Sequence, residues 1–113
     1  MLFRSAEGTS VILEVAALDV KPGQEADFER AMAQARPLIA ASRGFRGMSV
    51  RRCLERPNRY LLQVEWETLE DHTVGFRGSD RYQEWRKLLH HFYDPFPTVE
   101  HYGEVVISAP TKA

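Results

Sequence analysis

Between Val11 and Val20 the apolar residues fall on both parities of the chain. Val11, Leu13, Val15 and Ala17 occupy one, and Ile12, Ala16, Leu18 and Val20 the other. A strand with this pattern is covered on both faces. Lys21-Pro22-Gly23 then reads as a turn. From about Gln24 to Ser42 the period changes, and Phe28, Ala31, Met32, Ala35, Leu38 and Ile39 form one apolar stripe, which predicts an amphipathic helix. Pro37 lies inside the stripe without shifting its phase, so one kinked helix is expected rather than two. Arg43 suits the last turn and Gly44 the position just beyond it.

Phe45–Leu54 and Tyr60–Glu67 read as two strands of a hairpin, joined by a turn at Arg56-Pro57-Asn58-Arg59. In the second of these, Tyr60, Leu62, Val64 and Trp66 share a face. Thr68-Leu69-Glu70-Asp71 has the form of a capping box and opens a short helix ending near Gly75. After Gly78, Ser79 or Asp80 caps a helix that runs to about Tyr93, with Tyr82, Trp85, Leu88, Leu89 and Phe92 on its apolar face. Asp94-Pro95-Phe96-Pro97 stops it. Thr98–Ile107 completes the set as a strand. The domain is thus expected over residues 11–107, with an arm at 1–10 and a frayed tail at 108–113.

The order strand, helix, strand, strand, helix, strand is the split βαβ, ferredoxin-like arrangement of the α+β class, an antiparallel sheet with helices on one face. That leaves one sheet face bare, although the first strand is apolar on both. A second copy packed on the bare face resolves the conflict, so a homodimer is expected.

Composition narrows the function. A chain of 113 residues is one domain. At this size it buries only about two-thirds of its unfolded surface, a further reason to associate. A net charge of −1 argues against nucleic acid as the main partner. The single cysteine, Cys53, permits no intrachain disulfide and fits a reducing compartment. The first ten residues hold no apolar signal region, and no apolar run reaches the roughly 18 residues of a membrane span. A soluble cytoplasmic protein follows, with no membrane partner.

The chemistry concentrates between Glu65 and Phe92. Trp66, Tyr82 and Trp85 combine apolar rings with N–H and O–H groups, which suits either an aromatic core or an apolar pocket needing a few donors. Arg86 lies about 40° from Tyr82 on the helical wheel. From there it can lay its stem on the core and hold an anionic oxygen, or it can simply reach into solvent. Arg77 sits in a glycine-bounded loop whose direction the sequence does not fix. His72, on the short helix, is a candidate base near neutral pH or an exposed histidine. His90 and His91 project about 100° apart and cannot chelate one ion, and His101 is isolated on a strand, so no metal site is expected. The six arginines from Arg43 to Arg59 read as protection of a sheet edge. There is no phosphate loop, dinucleotide fingerprint or nucleophile elbow.

The ordered set Leu61-Leu62-Gln63-Val64-Glu65-Trp66-Glu67, His72, Gly75-Phe76-Arg77-Gly78-Ser79, Tyr82, Trp85-Arg86 and Val99-Glu100-His101-Tyr102 resembles the antibiotic biosynthesis monooxygenase family. Gly44-Phe45-Arg46-Gly47 and Pro57-Asn58-Arg59-Tyr60 match as well, and the resemblance spans roughly Val11 to Val106. It implies a dimeric α+β barrel with a pocket between sheet and helices in each subunit. It also implies oxidation of a phenol, quinol or polycyclic aromatic by O2 with no metal, flavin or other cofactor. In that scheme Trp66, Phe76, Tyr82 and Trp85 form the substrate wall, Arg86 stabilises the phenolate and His72 takes the proton. A haem-degrading branch of the family uses an asparagine on the first strand and a histidine on the last long helix. Here Val11–Val20 holds no asparagine and Arg86 falls near the ligand position, with His90 one turn on. A dimer that binds a small hydrophobic ligand without turning it over is the non-enzymatic alternative.

Overall fold

The computed structural model describes residues 11–111; the expected arm at 1–10 and the last two residues of the tail lie outside the described residues. The strands are β1 (Ile12–Asp19), β2 (Phe45–Arg52), β3 (Arg59–Trp66) and β4 (Val99–Tyr102). The helices are α1 (Glu25–Ala40), a π-helix at Asp71–Phe76, and α2 (Asp80–Leu89), which tightens into a 3-10 turn at His90–Phe92. The strands pair antiparallel in the order β2-β3-β1-β4. With both α-helices against one face, this is the ferredoxin-like α+β fold.

Parity decides which side chains reach the core. On β1, Glu14, Ala16 and Leu18 are buried, followed by Val20 just past its end; on β3, Tyr60, Leu62, Val64 and Trp66 are buried. Phe28, Met32, Ala35 and Ile39 of α1 and Trp85 and Leu89 of α2 close over them. The opposite face carries Leu13, Val15 and Leu61, all only partly buried, and exposed Ala17 and Glu65. β2 is an edge strand, and its Arg46, Arg51 and Arg52 are exposed, as edge protection requires.

Several boundaries differ from expectation, among them that of α2, which ends at Leu89 and gives way to a 3-10 turn instead of running to about Tyr93. α1 runs unbroken through Pro37 but stops at Ala40, short of Arg43. β2 ends at Arg52, two residues early. β4 has four residues rather than ten: Tyr102 pairs with Leu13, so β1 has only Ile12 left to offer beyond it. Past that point Val105, Val106 and Ile107 are 75%, 94% and 90% exposed. An apolar run without a partner strand does not make a strand.

The capping box forms as expected. The Thr68 backbone N–H donates to Asp71 Oδ2 (3.2 Å), and the Asp71 N–H donates to Thr68 Oγ1 (3.1 Å). The helix it opens is of π type, with the Arg77 N–H donating to the His72 carbonyl at 3.1 Å, an i→i+5 bond. Two glycines make room for it. Gly44 has φ +79°, and a Cβ there would lie 1.9 Å from Asp71 Oδ2. A Cβ on Gly78 would lie 2.6 Å from the Val74 carbonyl oxygen. Ser79 then caps α2, its Oγ accepting from the Tyr82 N–H at 3.3 Å. Arg81 ties α2 to the end of α1 by donating to the Leu38 carbonyl (2.9 Å) and Ser42 Oγ (2.6 Å).

Candidate functional site

The sheet and α2 diverge around a cavity of about 360 Å³. Phe76, Tyr82, Trp85, Tyr93 and Phe96 give it an aromatic wall, and Ala16, Leu18 and Leu62 form its floor. Phe76 anchors the wall, its ring lying 5.4 Å from Tyr82 and 5.6 Å from Trp85, both edge-on. Polar groups gather at one end, where Glu14, His72 and Arg77 line the cavity. A space of this size, apolar with a few convergent polar groups, is the form of a small-molecule site.

Glu14 is the feature with no counterpart in the sequence reading. It is 4% exposed on β1, and its Oε1 accepts from the Trp66 indole N–H at 2.9 Å. His72 Nε2 approaches the same oxygen to 3.4 Å, and His72 Nδ1 lies 2.8 Å from His101 Nε2. The four side chains come from four elements: β1, β3, the π-helix and β4. His101 reaches the group because it pairs with Glu14 across the β1–β4 ladder.

Burial controls the electrostatics. Loss of water raises the pKa of Glu14, against the lowering effects of the Trp66 hydrogen bond and the Arg77 charge. Burial lowers His72 to about 3, helped by the charge of Arg77 and by His101. Burial also lowers His101, with Arg77 again adding to it. Glu14, with its proton affinity raised, therefore faces imidazoles held neutral. With the His72 proton on Nε2 toward the carboxylate, Nδ1 accepts from His101 Nε2–H.

The expected site residues separate into three groups. Phe76, Tyr82 and Trp85 line the cavity. His72 reaches it too, but as a ring 3% exposed, stacked on Trp66 with centroids 5.2 Å apart and planes 16° apart. Trp66 itself is fully buried behind His72 and supports the wall rather than forming it. Arg86 does not line the cavity: it is exposed, with its guanidinium on Gln83 Oε1 at 3.2 Å, and only its charge is felt there, at His90. Arg77, whose direction the sequence left open, lines the cavity instead. His90 also lines it, although adjacency to His91 had set it aside.

Glu14 could have been found. It is the one charge on an otherwise apolar parity, between Ile12 and Ala16, and a lone acid on a core-facing stripe is either partnered or functional. For His101 the signal was Val99, two residues earlier on the same face. Among the described residues, no cluster of three or more His, Cys, Asp or Glu side chains is arranged to hold a metal ion. No helix there is long and apolar enough to cross a membrane.

Comparison with known proteins places these features in a family. The family model for antibiotic biosynthesis monooxygenases matches residues 11–88. The uncharacterized YczJ of Bacillus subtilis (strain 168) is 55% identical over 95 residues, which is 84% of this chain and 100% of that protein. A crystal structure of an antibiotic biosynthesis monooxygenase family protein from Bordetella bronchiseptica is 46% identical, with a TM-score of 0.81, covering 86% of this chain and 99% of that one. SnoaB from Streptomyces nogalater, a cofactor-independent oxygenase, shares the fold at 17% identity and a TM-score of 0.66, covering 93% of this chain and 100% of its own.

Proposed function

The chain belongs to the antibiotic biosynthesis monooxygenase family, and on that premise we propose that it is a cofactor-independent monooxygenase acting on a phenolic, quinol or polycyclic aromatic substrate with O2. One observation carries the proposal: an aromatic cavity of about 360 Å³ is closed at one end by a buried acid–base group and a cation. The reaction asks the protein for little else. An electron-rich phenol gives up its proton, the anion passes an electron to O2, and recombination at carbon leads to a quinone and water. SnoaB, named as a cofactor-independent oxygenase on the same fold, supports the reaction type.

Within this reading Phe76, Tyr82 and Trp85 hold the ring, and Trp66 sets the position of His72 and Glu14 from behind. The Glu14–His72 pair takes the proton. Arg77 stabilises the phenolate in place of Arg86, because Arg77 lines the cavity whereas Arg86 contacts Gln83. The site works as part of a homodimer that covers the bare sheet face, where Leu13, Val15 and Leu61 are only partly buried and Tyr102 is 51% exposed.

Oxygen uptake with a panel of hydroquinones and hydroxynaphthalenes tests the activity. At least one compound should be consumed well above its spontaneous rate, and Trp85→Ala and Arg77→Gln should both slow it. A panel with no enzymatic uptake rejects the proposal. Sedimentation should give twice the monomer mass, and a charge introduced at Val15 should halve it.

A further inference from the structure

Resemblance assigns the proton to His72, but the geometry points elsewhere: we propose that Glu14, through its Oε2 atom, is the group that meets the ligand hydroxyl, and that His72, His101 and Trp66 are positioning residues behind it. The proposal rests on the oxygenase reading for the fate of the proton, though not for the contact itself.

His72 offers no nitrogen free of a close polar neighbour. Nε2 faces Glu14 Oε1 at 3.4 Å, and Nδ1 is engaged by His101 at 2.8 Å. His72 is 3% exposed, and its ring packs near-parallel to Trp66 and Phe76 with centroid distances of 5.2 and 6.4 Å, those two rings themselves lying 6.2 Å apart. An imidazole so enclosed could take a substrate proton only by breaking one of these contacts. Its proton affinity is also weak, since burial has lowered its pKa to about 3.

Glu14 is placed the other way round. Both its protein contacts, from Trp66 and from His72, fall on Oε1. Among the described residues no fully buried side-chain oxygen or nitrogen lacks a partner, so Oε2 is open to the cavity that Glu14 lines. Burial raises the affinity of this carboxylate for a proton, which suits a base working near neutral pH. The Trp66 N–H bond to Oε1 holds the carboxyl group, and Oε2, which carries no hydrogen bond, is the oxygen left for a ligand.

The proton balance fits one acid–base group. The phenol O–H proton passes to Oε2, leaving a phenolate and a neutral Glu14. The phenolate gives one electron to O2, and the resulting superoxide and phenoxyl radical join in a C–O bond, forming a peroxide anion. Glu14 returns its proton to the terminal oxygen. The hydroperoxide then loses its ring C–H proton and breaks its O–O bond. One oxygen stays as the quinone carbonyl, the other leaves as water, and Glu14 is again a carboxylate.

The test compares binding of 1-naphthol with that of 1-methoxynaphthalene, read by quenching of tryptophan fluorescence, since Trp85 lines the cavity. The wild-type protein at pH 8 should prefer the free hydroxyl by about tenfold. That preference should fade as the pH drops and Glu14 takes up a proton. Its charged and titratable surroundings are His72 from the π-helix, His101 from β4 and Arg77 from the following loop, with His90, Tyr82 and Tyr93 elsewhere on the cavity wall. Glu14→Gln, nearly isosteric, should abolish both the preference and its pH dependence, while His72→Gln should shift the midpoint and keep the preference. Wild-type affinities that are equal at every pH, or a preference that survives in Glu14→Gln, would overturn the proposal. On any phenol that is oxidised, Glu14→Gln should lower kcat about 100-fold with little change in KM. His72→Gln should lower it less than about tenfold and move the acid limb of the pH profile. A Glu14→Gln enzyme keeping more than a tenth of kcat also overturns the assignment. A wild-type protein that prefers naphthol yet oxidises no phenol supports the Glu14 contact and removes the oxygenase reading alone.

Discussion

Two aromatic clusters lie on the helix-covered face of the sheet, one at each end of β1. Near Leu18 and Val20, Phe28 packs against Tyr60, Phe92 and Tyr93 with centroids 4.8, 5.8 and 6.0 Å away. Near Ile12 and Glu14, Trp66 packs against His72 and Phe76 at 5.2 and 6.2 Å. The first cluster sends the Tyr60 hydroxyl outwards, donating to exposed Glu29 at 2.6 Å, and only Tyr93 of its rings reaches the cavity wall. The second turns its polar atoms inwards, so that a buried carboxylate and two imidazoles face one another. Ring density is therefore no guide to chemistry in this fold; the enclosed titratable groups are. Cavity size is no better a guide. The groove beside Phe28, Met32 and Met48 measures about 420 Å³, larger than the cavity at Glu14, yet the acid on its rim, Glu29, is exposed.

The largest effect should come from Phe28, which packs in the first cluster and does not line the cavity at Glu14. Phe28 is fully buried, so Phe28→Ala removes a ring and leaves a hole, at a cost of about 3–5 kcal/mol. Urea unfolding should show that loss, while naphthol affinity in the surviving folded protein changes by no more than a few-fold. A loss of binding as large as that of Glu14→Gln would erase the distinction between the clusters.

Acid should act on the other cluster. His72 binds its proton at about 3 when folded, against 6.5 for an unperturbed imidazole. Between those values the unfolded chain holds a proton that the folded chain lacks, so the contribution of His72 is complete above 6.5 and is lost as the pH falls towards 3. His101 and His90, both lowered by burial, act in the same direction. Glu14 opposes them: its raised pKa gives a contribution complete below 4.5 and lost as the pH rises through its folded value. His72, lowered as far as about 3, sets the net direction, and stability should fall in acid. Unfolding free energy measured from pH 7 to pH 4 should decline in the wild type and decline less in His72→Gln.

Gly44→Ala should cost about 1–3 kcal/mol. It places a methyl group against the Asp71 carboxylate in a left-handed conformation, at the start of the segment that carries His72. Thermal melts should show the loss, and ligand binding should weaken with it, because this strain falls on the second cluster and spares the first.

These contrasts also mark what the sequence could disclose. The ferredoxin-like order, the β2–β3 hairpin, the Thr68–Asp71 capping box and the aromatic wall of Phe76, Tyr82 and Trp85 were legible because each is local: a period, a turn or a cap. The inner end of the cavity was not, because it joins residues 14, 66, 72 and 101 across four elements, and only the sheet register aligns Glu14 with His101. Arg86 shows the same limit. A helical wheel gave its angle to Tyr82 but not where its long side chain would end, and the guanidinium finds Gln83 and solvent. β4 was drawn too long because Val105, Val106 and Ile107 have strand-like composition, while strand formation depends on a partner that composition does not reveal.

The smallest effect should be at Tyr60, and it sharpens the contrast from the alkaline side. Its phenol pKa is pushed up to about 12, chiefly by burial and then by the hydrogen bond to Glu29. The unfolded chain ionises this phenol near 10, before the folded chain does. Its contribution is therefore complete below 10 and disappears as the pH rises towards 12, opposite in sense to His72. At pH 7 Tyr60→Phe deletes one hydrogen bond to an exposed partner and should cost only about 0.5–1 kcal/mol. Above pH 10 the variant should lose stability less steeply than the wild type, with its acid limb unchanged. If Tyr60→Phe altered the acid limb instead, the two clusters would be coupled through β1, and the packing end could no longer be treated as separate from the chemical one.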